Sequence, residues 1–194
     1  LKRCLGIEAT ELAPAALAPY VERVTEEAVR AEIAADREHF VVEADEEVHR
    51  RSVRLGLGVR ALLAEGGYGA WSMNFLAFNQ NAGPVNTVPF LECSRGMARG
   101  LGYAGEGDVL TAALVGALLS AFERTTFTEI FCPDWKGETL FLSHMGEINP
   151  AVAAEKPHLL EKEFPYTPAL NPAYLAAAIA PGPAVLVNFT PGPR

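Results

Sequence analysis

Apolar side chains recur at helical spacing in two long stretches near the start of the chain. In residues 17–36 they return every three or four positions among charged residues, a pattern that predicts a surface helix. Residues 46–65 repeat this pattern, with Asp45 where an N-cap belongs and Gly66 where the helix should end. The sequence therefore predicts two successive amphipathic helices.

The hydrophobic period changes after the second helix. In residues 69–75 apolar side chains alternate with polar ones, which is typical of a strand. A polar loop follows over residues 79–87, and Pro89 suits the first turn of a third helix. A glycine-rich segment, 102–107, then leads into a fourth helix predicted over residues 108–123. Such alternation of helix and strand indicates an α/β domain.

The later part of the chain has a different pattern. Residues 126–132 and 138–145 are rich in β-branched, aromatic and aliphatic residues, and turn-forming residues separate them, so they predict a β-hairpin. Residues 150–183 are rich in proline and irregular, apart from a predicted turn of helix at 174–179. Residues 184–189 predict one further strand.

This change of pattern places a domain boundary near residue 125. Residues 1–124 are predicted to form a central α/β domain, and residues 125–194 the beginning of a β-rich domain. The predicted fold class is therefore α/β followed by a β-rich region.

Composition narrows the functional classes. The formal net charge of −8 over 194 residues argues against a nucleic-acid partner, which would require clustered Lys and Arg. A basic stripe that would favour a membrane surface is absent, and no apolar run reaches the roughly 18 residues that cross a bilayer. Three widely spaced cysteines predict reduced thiols in a cytoplasmic protein. The chain opens with Leu1 and is expected to be a piece of a longer protein.

The predicted hairpin carries two chemically active side chains, Glu129 and His144. With the register centred on the turn, Glu129 faces Leu142 and His144 faces Phe127, so the two polar residues are diagonal neighbours roughly 7–8 Å apart. A buried unpaired carboxylate is costly, and a cation between the two groups would remove that cost. Carboxylate and imidazole together suit a divalent ion such as Mn²⁺.

A structural role for the same two residues stays open. Glu129 would then lie on the solvent face of an edge strand, and His144 would bind a backbone carbonyl. A register shifted by one residue would also separate the two side chains.

Glu106 lies between Gly105 and Gly107, just before the predicted fourth helix. Flanking glycines let the backbone turn sharply and hold a side chain towards a ligand. Alternatively, Glu106 and Asp108 only complement the helix dipole, with Asp108 as the N-cap. Residues 100–105 also fit a GxGxxG pattern, but a predicted helix precedes them where a dinucleotide site needs a strand, so no nucleotide site is predicted.

Three blocks, in the same order and at compatible spacing, resemble a signature of the L-arabinose/L-fucose isomerase family. They are residues 102–114, residues 126–129, and residues 143–145 with Glu147 and Pro150 continuing the match.

The resemblance implies roles for four residues. The family carboxylates that match Glu106 and Glu129 bind a catalytic divalent metal, usually Mn²⁺, and act as acid and base. The family histidine that matches His144 is also a metal ligand. Phe75 is similar to an aromatic residue that packs against the sugar.

The resemblance further implies a metal-dependent aldose–ketose isomerase, L-arabinose isomerase-like, that acts on a monosaccharide through a cis-enediol. The implied fold is a Rossmann-like central domain followed by the start of a barrel-like C-terminal domain, in a homo-oligomer whose neighbouring subunit helps to close each sugar site. A last histidine ligand would lie beyond Arg194, so this chain is expected to hold an incomplete site. The alternatives are an L-fucose-type or otherwise divergent sugar isomerase, and a non-catalytic sugar-binding relative.

Overall fold

Helices and short strands alternate through the computed structural model, which describes residues 1–190. The helices are α1 (Lys2–Leu5), α2 (Ala18–Glu22), α3 (Glu26–His39), α4 (Glu46–Glu65), α5 (Phe90–Ala98) and α6 (Val109–Leu119). The strands are β1 (Val41–Val42), β2 (Ala70–Ser72), β3 (Gly102–Ala104), β4 (Glu129–Asp134), β5 (Thr139–Ser143), β6 (His158–Glu161) and β7 (Ala173–Ala176). The mixed α/β class predicted from the sequence is confirmed.

The strands in this part of the chain form three small open sheets. The first has the order β1–β6–β7, with β1 parallel and β7 antiparallel to β6. The second is the parallel pair β2–β3, and the third is the antiparallel hairpin β4–β5. Strands β1 and β6 lie on opposite sides of the predicted boundary near residue 125 and pair with each other. The division into two domains stays a prediction, and residues 191–194 of the second lie outside the described residues.

The first predicted helix is wrong in its extent, because the chain breaks it in two. After a 3₁₀ turn at Pro14–Leu17, α2 ends at Glu22 and α3 begins at Glu26. The Thr25 side chain accepts a hydrogen bond from the Ala28 amide at 3.2 Å and so caps α3. A threonine before two glutamates is itself a helix-start signal, which the continuous apolar period concealed.

The second predicted helix is confirmed as α4. Asp45 accepts hydrogen bonds from the amides of Glu47 and Val48, which satisfies two donors that the first turn leaves open. Gly58 lets α2 cross close to α4, because a Cβ at this position would lie 2.5 Å from Cγ2 of Val21. The glycine is therefore needed for packing although it weakens the helix.

The strand predicted over residues 69–75 is shorter in the structure. Only β2 is extended, and Phe75 begins a 3₁₀ turn that Asn74 caps by accepting a hydrogen bond from the Leu76 amide. Its partner β3 was not predicted, because its residues lie inside the glycine-rich segment. Gly102 at its start lies against Gly116 of α6, and a Cβ there would be 2.6 Å from the Gly116 nitrogen.

The third and fourth predicted helices are confirmed with small changes. Pro89 is the N-cap of α5 rather than its first residue. Helix α6 ends at Leu119, four residues before the predicted end, and Asp108 caps it by accepting hydrogen bonds from the amides of Leu110 and Thr111. The N-cap role of Asp108, which the alternative interpretation of this segment contained, is thus observed.

The predicted hairpin forms, but its register differs from the prediction. Glu129 pairs with Ser143 instead of Leu142, and the register shifts again between Ile130 and Cys132. An extra residue in one strand of an antiparallel pair produces such a bulge. The prediction assumed a regular ladder and therefore missed both shifts.

Two predictions in the last part of the chain are wrong. Residues 173–176 form strand β7, where a turn of helix was predicted, and the side chains of Ala173 and Leu175 alternate into the core. Nearby prolines made this segment look irregular, so the short strand-like alternation of its side chains was not recognised. Strand β6 was not predicted for the same reason. Residues 184–189, predicted as a strand, take no regular secondary structure, and Val185 is 85% exposed.

A buried ionic network joins α3, α4 and α5. Asp36 of α3 contacts His49 of α4 at 2.5 Å and also pairs with Arg95 of α5. Glu92 of α5, itself buried, contacts Arg60 of α4 at 3.1 Å. Such charges can be buried because each has a partner.

The largest cluster of buried side chains connects the β2–β3 pair to the region after β5. It includes Leu55, Met97, Tyr103, Val115 and Phe127. Within residues 1–190, no helix is long and apolar enough to cross a membrane.

Candidate functional site

A strained loop follows β3 and presents Glu106. The backbone φ angle is 60° at Glu106 and 87° at Gly107, and this left-handed conformation is uncommon for a residue with a side chain. Ser72 of β2 holds the loop: its hydroxyl donates to the carbonyl of Ala104 at 2.7 Å and accepts from the Gly107 amide at 2.8 Å. The sharp turn predicted around Glu106 is confirmed, and the adjacent parallel strand fixes it.

His144 lies directly against this loop. Its ring packs on Phe127, with ring centroids 4.7 Å apart. A Cβ on Gly105 would lie 3.1 Å from Cε1 and 3.3 Å from Nε2 of His144, so the imidazole edge rests over the Gly105 backbone. A side chain at this position would therefore require the imidazole to shift by a few tenths of an ångström.

Glu129 faces the same edge of the imidazole. Its Oε2 atom lies 3.9 Å from Nε2 of His144, and its side chain is 43% exposed, whereas that of His144 is 11% exposed. The two groups meet even though the predicted register is wrong, because His144 follows the last paired residue of β5 and strand alternation no longer constrains it. The pair is therefore half open to solvent on the Glu129 side.

Glu147 continues the motif match in the sequence, but no role in the site was predicted for it. It is 2% exposed; its Oε2 contacts Nδ1 of His144, and its Oε1 accepts a hydrogen bond from the hydroxyl of Tyr103. Tyr103 is buried in β3 between Trp71 and Phe127. The sequence feature that could have indicated this role is the position of the Glu147 carboxylate, three residues after the candidate ligand His144.

The pKa values of the buried groups follow from these contacts. Burial lowers the pKa of His144, but the hydrogen bond and charge of Glu147, followed by the charges of Glu129 and Glu106, raise the pKa above its ordinary value. Burial, followed by the charges of Cys93 and Glu147, raises the pKa of Tyr103 well above its ordinary value. Tyr103 therefore remains protonated and can donate to Glu147.

The structure brings some predicted site residues together and leaves others apart. Glu129 and His144 form a pair, and Glu106 lies on the loop beneath the ring. Among residues 1–190, no three His, Cys, Asp or Glu side chains are gathered closely enough to hold a metal ion. The three-ligand set of Glu106, Glu129 and His144 stays a prediction.

Phe75 is placed in the aromatic part of the core. Its ring contacts Phe164 with centroids 5.4 Å apart, and it is partly buried against the main cluster. Its predicted contact with a sugar stays a prediction.

The site combines a carboxylate–imidazole pair with a glutamate flanked by glycines, and these side chains are suited to acid–base chemistry and to metal binding.

A family model described as the L-arabinose isomerase central domain matches residues 2–122. The L-arabinose isomerase of Nocardioides sp. is 33% identical over 146 residues, which cover 72% of this chain and 28% of that protein. L-arabinose isomerase 1 of Bacillus licheniformis is 32% identical over 151 residues, covering 76% of this chain and 30% of that protein.

The L-arabinose isomerase of Saccharophagus degradans is 29% identical over 184 residues, covering 89% of this chain and 36% of that protein. The chain belongs to the L-arabinose isomerase family. It spans between 28% and 36% of the length of these three relatives.

Proposed function

We propose that this chain is part of a metal-dependent aldose–ketose isomerase of the L-arabinose isomerase type, with Glu106, Glu129 and His144 as its metal ligands. Membership of the family supports the reaction class. The main observation that supports the proposed site is that the Glu129 carboxylate lies close to the His144 imidazole, beside the loop that contains Glu106.

The donor pair fits a divalent cation. Nitrogen and oxygen ligands lie about 2.0–2.2 Å from a bound transition-metal ion. Atoms Nε2 of His144 and Oε2 of Glu129 are 3.9 Å apart, a separation that two ligands of one ion can have at these bond lengths. A mixed carboxylate and imidazole set suits Mn²⁺ or a similar cation, and Glu106 would supply a third ligand.

Side chains of this chain would carry out the proton transfers of the reaction. A bound divalent cation would orient the open-chain sugar and stabilise the negative charge that develops in forming a cis-enediol. One of Glu106 and Glu129 would remove the proton from C2 of the aldose and return a proton to C1, and the other would move a proton from O2 to O1. General acid–base catalysis of this kind contributes about 10²–10⁴ in rate.

The finer features of the protein are proposals of the same kind. Phe75 would contact the sugar, and the family resemblance supports a Rossmann-like arrangement of residues 1–124 followed by the start of a barrel-like domain in residues 125–194. We further propose a homo-oligomer in the cytoplasm whose neighbouring subunit helps to close the sugar site.

An isomerase assay tests the reaction. The complete protein that carries this chain is incubated with L-arabinose and Mn²⁺, and ketose formation is followed. Glu106→Gln and Glu129→Gln should each lower kcat by at least about 10²-fold, the lower bound for one acid–base group. Glu138→Gln removes the same charge from an exposed position in the hairpin turn and should leave kcat unchanged. Binding of the sugar without metal, with no turnover, would instead support a non-catalytic sugar-binding protein.

A further inference from the structure

We propose that Glu147 is a positioning residue: its carboxylate fixes the His144 ring with the proton on Nδ1, so that the lone pair of Nε2 faces Glu129 and the Glu106 loop. This inference rests on the proposed function, because it takes Nε2 as the atom that faces the metal.

The contacts of Glu147 determine which ring nitrogen carries the proton. The oxygens of a carboxylate accept hydrogen bonds, so a ring nitrogen that bonds to one of them carries the proton. Oε2 of Glu147 and Nδ1 of His144 are buried against each other, and within the described residues neither atom has another hydrogen-bond partner, whereas Oε1 accepts from Tyr103. A neutral His144 ring therefore holds its single proton on Nδ1 and leaves Nε2 unprotonated.

The burial of Glu147 makes its contact with His144 costly to lose. At 2% exposure its carboxylate has little access to water, and a buried carboxylate without partners is strongly unfavourable. Loss of the His144 contact would leave the Tyr103 hydroxyl as the one hydrogen-bond donor that the structure shows for this carboxylate. The ring and the carboxylate therefore hold each other in place.

The surrounding backbone and rings fix the orientation of the imidazole. Phe127 packs against its face, and the backbone of Gly105 lies under its Cε1–Nε2 edge. A bend at Gly146, with a φ of 97°, returns the chain so that residues 144 and 147 meet outside any helix. A Cβ at Gly146 would lie 2.5 Å from Cδ2 of Tyr174, so this bend is packed as well as left-handed.

The consequence concerns metal affinity. Metal-binding histidines generally donate their second N–H to a carboxylate or carbonyl, which sets the tautomer, and loss of that partner typically lowers metal affinity by about 10–100-fold. Glu147 would act in this way on His144 without touching the metal or the sugar.

Nuclear magnetic resonance of the imidazole ring nitrogens tests the inference without metal. Spectra of the chain are recorded at a pH where His144 is neutral, and the signals are assigned with the His144→Gln variant. We expect protonated Nδ1 and bare Nε2 in the wild-type chain. A wild-type ring that carries its proton on Nε2 would overturn the inference, and this measurement needs no variant that must fold.

The Glu147→Gln variant tests the cause. Because the glutamine amide can donate as well as accept, Nδ1 no longer has to carry the proton, and the proton should move at least partly to Nε2. Tyr103→Phe is the matched control, since it removes the other hydrogen bond to the same buried carboxylate and should leave the proton on Nδ1. An unchanged tautomer in a folded Glu147→Gln chain, or equal changes in both variants, would contradict the proposal.

Titration with Mn²⁺ tests whether the contact between Glu147 and His144 affects metal binding. The dissociation constant should rise about 10–100-fold in Glu147→Gln and stay unchanged in Glu138→Gln, which loses the same charge at an exposed position. Equal affinities of Glu147→Gln and the wild type would overturn the positioning role. If the wild type bound no Mn²⁺ yet carried its proton on Nδ1, the result would count against the proposed metal site alone.

Discussion

The Nε2 atom of His144 lies 3.9 Å from Oε2 of Glu129, although the two residues are not cross-strand partners. Glu129 pairs with Ser143, the last residue of β5, and the chain bends immediately afterwards. Three features outside the hairpin bring the imidazole to the carboxylate: the ring of Phe127, the bare backbone of Gly105 and the buried carboxylate of Glu147. The candidate site therefore depends on the packing of β3 as much as on the hairpin itself.

Adding a methyl group at Gly105 should weaken the site. In Gly105→Ala the new Cβ would lie 3.1 Å from Cε1 of His144 and would displace the ring from Glu129. We expect a loss of Mn²⁺ affinity, measured by calorimetry, with little loss of secondary structure. Gly69→Ala is the control, because a Cβ there meets no atom within 4 Å. Equal affinities of Gly105→Ala and the wild type would show that the position of the ring does not matter.

The pH dependence of stability should report the environment of His144. The pKa of His144 in the folded chain is raised above its ordinary value of 6.5, chiefly because Glu147 offsets the effect of burial. Protonation thus favours the folded state: the contribution is fully present below the unfolded-state pKa and is lost as pH rises through the folded-state pKa.

Urea unfolding of the metal-free chain checks this sign. The stability difference between the wild type and His144→Gln should be larger in favour of the wild type at pH 5 than at pH 9. A difference that stays constant or grows towards pH 9 would contradict the raised pKa of His144.

The buried ionic network should contribute far more to stability than a surface ion pair. Arg95→Met removes one of the two partners of buried Asp36, which keeps its contact with His49, and should cost up to about 3–5 kcal/mol in the free energy of unfolding. Arg50→Met breaks a pair with Glu26, whose side chain is 51% exposed, and should cost about 0–1 kcal/mol. Chemical denaturation measures both variants, and equal losses would argue that Arg95 is not buried among these charges.

Two helical glycines should respond to alanine in opposite directions. Gly58→Ala in α4 would place a Cβ 2.5 Å from Cγ2 of Val21 and 3.0 Å from its backbone nitrogen, so α2 must shift and stability should fall. At Gly96 in α5 the nearest atom to a Cβ, on Leu101, is 3.5 Å away. Gly96→Ala should therefore raise the melting temperature, through a gain of up to about 1 kcal/mol in helix propensity. A rise with both variants would contradict the close crossing of α2 and α4.

Local signals in the sequence predict the elements that carry strong periodicity or capping. Helix α4 is the clearest example, because Asp45 and a regular apolar face define it without help from the rest of the chain. Strands β3, β6 and β7 have three or four residues each and depend on distant partners, so no local period identifies them. The break before Thr25 does carry a local signal, the Thr25 N-cap, but an apolar period that continues across the break conceals it.

The site was partly predictable for a similar reason. Residue type and motif spacing select Glu106, Glu129 and His144 as candidates, but the sequence gives no reason to place Glu147 beneath the imidazole. That contact requires the bend at Gly146 and the buried hydroxyl of Tyr103, which come from separate elements. A regular strand register also predicts the wrong cross-strand partner for Glu129. Glu129 and the His144 imidazole still meet, because contacts outside the hairpin position the ring.

Calorimetric titration of the chain with Mn²⁺ tests the central claim most directly. The wild type should bind one ion saturably, and Glu129→Gln and His144→Gln should each weaken that binding strongly, because the first removes the carboxylate charge and the second the imidazole from two groups 3.9 Å apart. Glu138→Gln should bind like the wild type. Binding that is unchanged in both site variants, or absent from a folded wild-type chain, would contradict a metal site at Glu129 and His144.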